Sequence, residues 1–441
     1  MLPADTIVAA PLPGAENPYY VQAVAALARR QAMVAECDIY SSNGMMLAAR
    51  GSVISEPQFE RLAQHKLQQP LDSLVRTSHS LDAGDLALAA AKILEHDNVQ
   101  ARLAARSGDP LAVKQGLAAL KLPAPLCLRL TVMRELRPAM FEHSLRSAMI
   151  AFALAQRLRL PAAERYALLI AALCHDIGEM HTDPELLDRR HDITPEERRF
   201  IHVHPLSGHL LLREMAGFPA RSAQAVLQHH ERLDGSGYPH GLRGDKIAPL
   251  ARLVAVADVA ESVIQRFDLP RLDMLTRLHQ ARFDHAAVDA LRDLIHATPQ
   301  DASGAPHGPA AAQLGRLDAL LHAWRDWRGR FERQLAPDGA EHSALAFLFE
   351  RMQSIRLLML QAGVDPEHVA GMLDVARDDP GILLELRSML DEMDWLLHDL
   401  GHEIDRRAAE LKNLPAQCLS PLLQHLQPRG AMETPNGRAE I

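Results

Sequence analysis

The sequence lacks the marks of several broad protein classes. Its four cysteines, Cys37, Cys127, Cys174 and Cys418, are far apart and none forms a CxxC pair. Nothing therefore indicates a disulfide framework, and free thiols in a reducing compartment are expected. Cys174 lies in an apolar run and reads as a small buried hydrophobe. There is no excess of positive charge: 47 Lys and Arg stand against 56 Asp and Glu, a formal net charge of -9. A mildly acidic chain does not hold duplex DNA by bulk electrostatics, which leaves room for a small phosphorylated ligand at a local patch or metal. No apolar stretch reaches the roughly 18–20 residues needed to span a bilayer. The longest, around Tyr166–Cys174, ends at His175-Asp176. The opening MLPADTIVAAPLPGAENPYY has no basic region followed by an apolar core, so a soluble, cytoplasmic protein is expected.

Aromatics are scarce as well, at 4%. Ala and Leu are abundant instead, and these residues lose little side-chain freedom in helices. With 48% hydrophobic and 23% charged residues, the balance is that of a folded globular chain. A length of 441 residues suggests roughly two to four domains.

Along the chain, residues 1–33 read as a Pro- and Ala-rich leader followed by a helix over Tyr20–Met33. Residues 34–80 read as a small α+β module: CDIYSSNGMMLAARGSVIS places short apolar runs around Asn43-Gly44, a hairpin signal, and EPQFERLAQHKL follows as a short helix. Its expected use is regulation or assembly, with a plain structural cap as the alternative. Residues 81–125 form a helical connector beginning LDAGDLALAAAKILEH, with Asp82 or Asp85 near the helix start. Pro123 and Pro125 break the chain before a block at 126–270 that holds nearly all the chemistry. Residues 271–425 are expected to be helical apart from a linker at 297–312. There Asp365-Pro366 marks a helix start, and Leu386, Met389, Leu390, Met393, Leu396, Leu397, Leu400 and Ile404 form one apolar stripe. That stripe offers a contact for a homodimer. Residues 426–441 are expected to be a disordered tail.

Of the 23 His, ten fall between residues 143 and 240. ALLIAALCHDIGE places His175-Asp176 after an apolar helical run, giving one neutral nitrogen donor and one anionic oxygen donor side by side. A carboxylate can bridge two cations, whereas an imidazole ligates one. The His and Asp mixture suits Fe or Mn, with Zn as the alternative, better than a thiolate-seeking ion. Alone, an HD dipeptide is a weak signal. QAVLQHHERLDGSGYPHGLRGDKI is stronger: His229-His230 end a helical stretch, and Asp234, Gly235, Gly237, Gly241 and Gly244 follow in a compact loop where glycine permits positive φ and close backbone approach. A tight surface loop after a helix is the bland alternative.

This run resembles the HD-GYP signature, HHExxDGSGYPxGLxGxxI, at every fixed position. HSLRSAMIAFALAQRL resembles the family's opening helix with His143 in a ligand place, HDIG at 175–178 its HD motif, FIHVHPLSGHLLL its next helix with His204-Pro205, and LVAVADVAE its last segment with Asp258. The resemblance covers about 140–265. It implies a mostly α fold, an HD-type helical bundle flanked by the small N-terminal α+β module and the C-terminal helical region. It also implies a bacterial signalling hydrolase that cleaves cyclic di-GMP to pGpG or GMP. The implied metal ligands are His143, His175, Asp176, His204, His229, His230 and Asp258, with Asp176 bridging two divalent cations and His175 and Asp176 at the centre of catalysis. Two such cations hold a phosphodiester and lower the pKa of a bound water. The loop residues Asp234, Gly235, Gly237, Tyr238, Pro239 and Gly241 would line the substrate pocket. Where some members carry a Glu for a third metal, this chain has Ala139, and Glu142 would face elsewhere, so two metals are expected.

Two departures concern phosphate. The residue after HDIG is Glu179 where the family usually has Lys, and the usual Arg-Pro-Tyr segment after Asp258 is replaced by VAESVIQRFDLPR, leaving Arg266 and Arg271 as unfaithfully spaced substitutes. An anion close to a phosphate opposes binding. A metal-bearing sensor or scaffold of low turnover, recruiting signalling partners, is therefore the first alternative. An HD phosphohydrolase acting on another nucleotide is the second, and the GYP loop argues against it. His181, His191, His202, His209 and His240 are expected to be solvated or locally hydrogen-bonded. Arg146 and Arg243 are expected in surface salt bridges, and the i,i+4 pair His398 and His402 on a polar helix face.

Overall fold

A computed structural model describes residues 17–187, 195–267 and 269–296, together with the single positions 319, 322, 357 and 389. The linker at 297–312, the Asp365-Pro366 helix start, the apolar stripe apart from Met389, the His398–His402 pair, His191 and the tail lie outside these residues. The described residues are mostly helical, and none of their helices is long and apolar enough to cross a membrane.

Asn17 opens the first helix, α1 (Pro18–Ala28), its side-chain oxygen accepting from the backbone N–H groups of Tyr19 and Tyr20. The cap satisfies donors that have no partner inside the helix. The helix expected to run to Met33 stops at Ala28. The N–H groups of Arg30 and Gln31 both turn back to the Leu27 carbonyl, and Met33 begins a strand.

Four short strands follow: β1 (Met33–Ala35), β2 (Ile39–Tyr40), β3 (Met46–Ala48) and β4 (Val75–Thr77). β1 pairs antiparallel with β4, Met33 opposite Thr77 and Ala35 opposite Val75. β2 pairs antiparallel with β3 across the turn at Asn43-Gly44, where Gly44 has φ +84°. Glycine takes that left-handed conformation without a Cβ penalty. Between β3 and β4 lie α2 (Glu56–Ala63) and α3 (Leu71–Leu74).

The helical part then runs through α4 (Ala83–His96), α5 (Asn98–Ser107), α6 (Ala112–Ala118), α7 (Ala124–Leu136), α8 (Pro138–Arg157), α9 (Ala162–Leu173), α10 (Pro195–Ile201), α11 (His204–Glu214), α12 (Ala220–Gln228), α13 (Pro249–Ile264), α14 (Leu269–Leu278) and α15 (His285–Ile295). Of the two acidic candidates at the start of α4, Asp82 is the N-cap; it accepts from the Asp85 N–H, and Asp85 returns the bond to the Asp82 N–H. Asp97 caps α5, its Oδ1 accepting from the Val99 and Gln100 N–H groups.

Three helices form the centre. Ala167–Leu173 of α9, Ser147–Ala155 of α8 and Leu253–Glu261 of α13 are buried without a break. Helices apolar on every side belong in a core. Polar side chains within such elements therefore need partners or a ligand, because an unpaired buried polar group is costly.

The chain forms two compact units. One runs through Ser262 and resumes at Ala281–Ile295; the other contains Val263–Gln280. The divisions read from sequence at 33/34, 80/81 and 125/126 fall inside the first unit, and that at 270/271 falls inside the second. In the first unit α15 buries Ala287, Val288, Leu291, Leu294 and Ile295. Arg106 of α5 donates to the Asp293 carbonyl at 2.8 and 3.1 Å. In the second unit Arg277 pairs with Asp273 at 2.7 Å, and Arg271 lies 4.0 Å over the Phe267 ring.

After α9 the chain makes a tight 3-10 turn, Ile177–His181, against the start of α11. A Cβ at Gly178 would lie 2.0 Å from the His204 carbonyl oxygen and 2.7 Å from the Gly208 nitrogen. Glycine is required there by backbone approach. Gly178→Ala should cost about 1–3 kcal/mol, the range for overpacking, and push α11 away from the turn. Denaturant unfolding checks this, and an unchanged midpoint would show that the contact is less tight than described.

Candidate metal centre

Helix ends and two helix faces bring the seven expected donors together. His175 and Asp176 follow the C-terminus of α9, His204 is the first residue of α11, and His229-His230 follow the C-terminus of α12. His143 and Asp258 lie within α8 and α13. The donor atoms fall into two groups, each with its atoms within 4.8 Å of one another: Asp176, His204, His229 and His230, and His143, His175 and Asp258.

Asp176 faces both groups. Its Oδ2 lies 3.0 Å from His175 Nε2 and 3.5 Å from His143 Nε2, while its Oδ1 lies 3.3 Å from His204 Nε2 and 3.6 Å from His229 Nε2. Asp258 Oδ1 lies 3.1 Å from His143 Nε2 and 3.6 Å from His175 Nε2.

The imidazoles are aimed by their other nitrogens. Nδ1 of His175, His204 and His229 reaches the carbonyl three residues earlier, Ala172, Ile201 and Val226, at 2.8, 2.8 and 2.6 Å. An Nδ1–H donating to a carbonyl leaves Nε2 with its lone pair facing inward, as metal-ligating histidines are commonly held. Nε2 atoms then meet at 3.2 Å (His143–His175) and 3.3 Å (His204–His229). Two lone pairs at that separation repel unless a proton or cation joins them. His230 Nδ1 is buried with no hydrogen-bond partner. A mixed imidazole and carboxylate donor set of this kind, buried and mutually facing, fits divalent cations.

The electrostatics agree. Burial alone would depress His143, but the carboxylates of Asp258 and Glu261 outweigh it and hold its pKa up to about 10. Burial opposes charge on His175 and His204 too, and Asp176 raises both. Burial likewise penalises the carboxylates of Asp176 and Asp258, yet the facing imidazoles hold them well below the usual range. Without a cation, protons on the imidazoles supply the positive charge that the carboxylates demand. His229 and His230 are pushed down, His229 to about 4, by burial and in both cases by neighbouring histidines.

Glu261 was not singled out in the sequence. It is buried, and its carboxylate accepts from His143 Nδ1. The signal was present: Asp258 and Glu261 are three apart on α13, so they share a face. Glu231, quoted only as part of a motif, shapes the loop. Its two carboxylate oxygens accept from the His240 and Leu242 N–H groups, both at 2.8 Å.

The loop folds back over His229-His230. Tyr238 N–H donates to the His230 carbonyl at 3.1 Å, and a Cβ at Gly237 would lie 2.3 Å from that same oxygen. The Tyr238 ring stacks on His230 at 4.6 Å and on His202 at 3.9 Å. Asp234 Oδ1 accepts from the N–H and hydroxyl of Ser236 at 2.9 and 2.6 Å. Gly235 and Gly241 take φ +83° and +62° beside it, and the Tyr238-Pro239 peptide is cis.

Glu179, on the turn after the ligand pair, is raised to about 7 by burial and by the charge of Asp176, with His204, His143 and Arg137 opposing. Arg137 donates to the Glu179 and Thr182 carbonyls at 3.2 and 3.3 Å. Arg266 and Arg271 belong to the second unit. His209 bonds locally to the Ala223 carbonyl, His240 is exposed, and Arg146 pairs with Glu142 and Asp97. His181 differs from its expected solvated setting: it is held at 3.1 Å by buried Arg129.

Residues 131–286 match the HD domain family. The chain is 35% identical over 123 residues to a cyclic di-GMP phosphodiesterase of Pseudomonas aeruginosa, covering 28% of this chain and 30% of that protein. It is 31% identical over 173 residues to 3'3'-cGAMP-specific phosphodiesterase 3 of Vibrio cholerae, covering 37% of each. It is 37% identical over 125 residues to 3'3'-cGAMP-specific phosphodiesterase 1 of the same organism, covering 28% of this chain and 29% of that protein. Each match thus spans well under half of the relative's length. Over residues 131–286 the chain is similar to HD domain proteins.

If a cation must displace the His143 proton, its affinity depends on pH in a definite direction. Because the metal-free pKa is about 10, the group is protonated at neutral pH, and ligation releases that proton. Mn affinity should therefore rise about tenfold per pH unit for each proton released between pH 6.5 and 8.5. Titration at three pH values measures this, and a pH-independent dissociation constant would contradict the assignment.

Proposed function

We propose that this chain hydrolyses a phosphodiester bond of a cyclic dinucleotide, cyclic di-GMP first, at a centre of two divalent cations, Fe or Mn with Zn as the alternative. The observation that carries the reading is Asp176, whose two carboxylate oxygens each face a separate group of imidazoles. Such a pair of cations supplies activation of water and neutralisation of charge in an in-line displacement. His143, His175 and Asp258 would hold one cation and His204, His229 and His230 the other, with Asp176 shared.

The surrounding residues prepare this arrangement. Glu261 fixes the ring of His143, and backbone carbonyls fix His175, His204 and His229. Glu231 and Gly237 fold the loop so that Tyr238 shields the face of His230. In the reaction one water adds across one P–O bond and opens the ring to linear pGpG; a second addition gives GMP. Arg266 and Arg271 stand as the sequence's candidates for phosphate binding.

The relatives named for cyclic di-GMP and for 3'3'-cGAMP support a cyclic dinucleotide and differ on the second base. The test is an anaerobic assay of the full chain loaded with Fe or Mn, offered both dinucleotides. Turnover of cyclic di-GMP that falls at least 100-fold in Asp176→Asn, an effect on the scale of losing a catalytic charge, is the expected result. No turnover of either dinucleotide with two ions verified as bound would refute the reading.

Glu179 favours a second reading, a metal-bearing sensor of low turnover, because its carboxylate stands in the field of Asp176 where a substrate phosphate would add further negative charge. Because its carboxyl is raised to about 7, Glu179 carries a full negative charge only above that pH. Glu179→Gln should therefore lower KM several-fold near pH 8.5 and progressively less as the pH falls below about 7, the size expected for one charge at moderate distance in a partly shielded site. Steady-state kinetics of the two forms decide between them: negligible turnover in both, with tight dinucleotide binding, selects the sensor.

A further inference from the structure

The turn that follows His175-Asp176 is gripped from the N-terminal module. Arg129, on α7, is 2% exposed. Its Nη2 meets Asp72 Oδ2 of α3 at 2.5 Å, its Nη1 lies 3.1 Å from His181 Nε2, and its guanidinium carbon sits 4.0 Å over the Tyr20 ring. The Tyr20 hydroxyl donates to the other oxygen of Asp72. Alongside, Asn17 donates to the His181 carbonyl at 3.0 Å, and the Tyr19 hydroxyl donates to Asp183 at 3.1 Å. The turn Ile177–His181 begins where Asp176 ends, and the Glu179 N–H bonds back to the Asp176 carbonyl at 2.8 Å.

A buried ion pair is weak evidence of stability. Replacing such a pair by apolar groups of similar volume is often neutral or stabilising. The Asp72–Arg129 pair therefore calls for another account, and its geometry supplies one. The guanidinium is planar, with donors in fixed directions. Held by Asp72 through Nη2 and stacked on Tyr20, it presents Nη1 to His181. The Asp72 carboxylate, occupied by Tyr20 and Arg129, cannot rotate freely. The His181 Nε2 that receives Arg129 is an acceptor, so its proton is on Nδ1.

We infer that Arg129 is a positioning residue for the metal centre: through His181 it fixes the turn that sets Asp176 between its two groups of imidazoles, and the N-terminal module, through Tyr20 and Asp72, fixes Arg129. The inference rests on the metal-centre reading above. Asp176 has to satisfy four imidazoles at 3.0–3.6 Å with one rigid carboxylate, and sites of this kind lose function when their supports loosen by about 1 Å. The α+β module, together with α1 that precedes it, is then part of the machinery that holds the cations, and a displacement of α1 or α3 would be felt at Asp176. This gives the module a physical route to the centre that needs no contact with substrate.

The experiment uses the full chain. The triple variant Tyr20→Phe/Asp72→Leu/Arg129→Met replaces the network by apolar groups and leaves no buried charge unpaired. Arg129→Lys keeps the charge and its pairing with Asp72, but a single ammonium cannot reproduce the planar fork that spans Asp72 and His181. Thermal unfolding reports the fold, Mn binding at set free concentrations reports the centre, and amide exchange over 175–182 reports the turn. The expected result is a triple variant that unfolds within a few degrees of wild type, binds Mn at least tenfold more weakly and exchanges faster in the turn, with Arg129→Lys shifted the same way. A folded triple variant with wild-type Mn affinity overturns the inference. Should the triple variant not fold, Arg129→Lys decides: wild-type affinity overturns the inference and weakened affinity supports it. A wild-type chain that binds no Mn, Fe or Zn fails the metal-centre reading itself, which is a different outcome.

Discussion

One carboxylate between two sets of imidazoles organises this molecule. Asp176 cannot satisfy His175 and His143 through one oxygen, and His204 and His229 through the other, unless four segments of chain arrive at fixed places. Bare nitrogen lone pairs 3.2–3.3 Å apart cannot persist in a core without positive charge between or beside them. The centre is therefore a store of unmet electrostatic demand. Protons meet it on the imidazoles when no cation is present, and divalent cations are the natural alternative.

The fold is arranged to meet that demand. Helices with long buried stretches, α8, α9 and α13, carry or deliver His143, His175, Asp176 and Asp258. The end of α12 and the start of α11 supply the remaining donors. Backbone carbonyls one helical turn away are within reach of Nδ1. Gly178 and Gly237 allow backbone to approach backbone where a side chain would force the donors apart. The GYP loop, held by Glu231, places an aromatic ring over His230.

Much of this was legible in the sequence, and the illegible part has a physical pattern. Donor-bearing motifs were readable because only a few side chains offer nitrogen or carboxylate lone pairs. The Asn43-Gly44 hairpin was readable because its turn needs a left-handed residue. Glu261 was overlooked because its partner, His143, is 118 residues away, although its i,i+3 spacing from Asp258 pointed to it. Arg129, Asp72 and His181 were illegible for a stronger reason. Charged residues are ordinarily at the surface, and only tertiary packing of α1, α3 and α7 buries Arg129 and Asp72 beside the turn that carries His181. The end of α1 at Ala28 depended on local closure at the Leu27 carbonyl, which Ala- and Arg-rich composition does not announce.

The central claim is tested most directly by anomalous scattering from crystals of the full chain loaded with Mn or Fe. The account predicts two peaks about 3.5–4 Å apart, one on each side of the Asp176 carboxylate, the first beside His143, His175 and Asp258 and the second beside His204, His229 and His230. A single peak, or peaks that leave Asp176 in contact with only one ion, would contradict it.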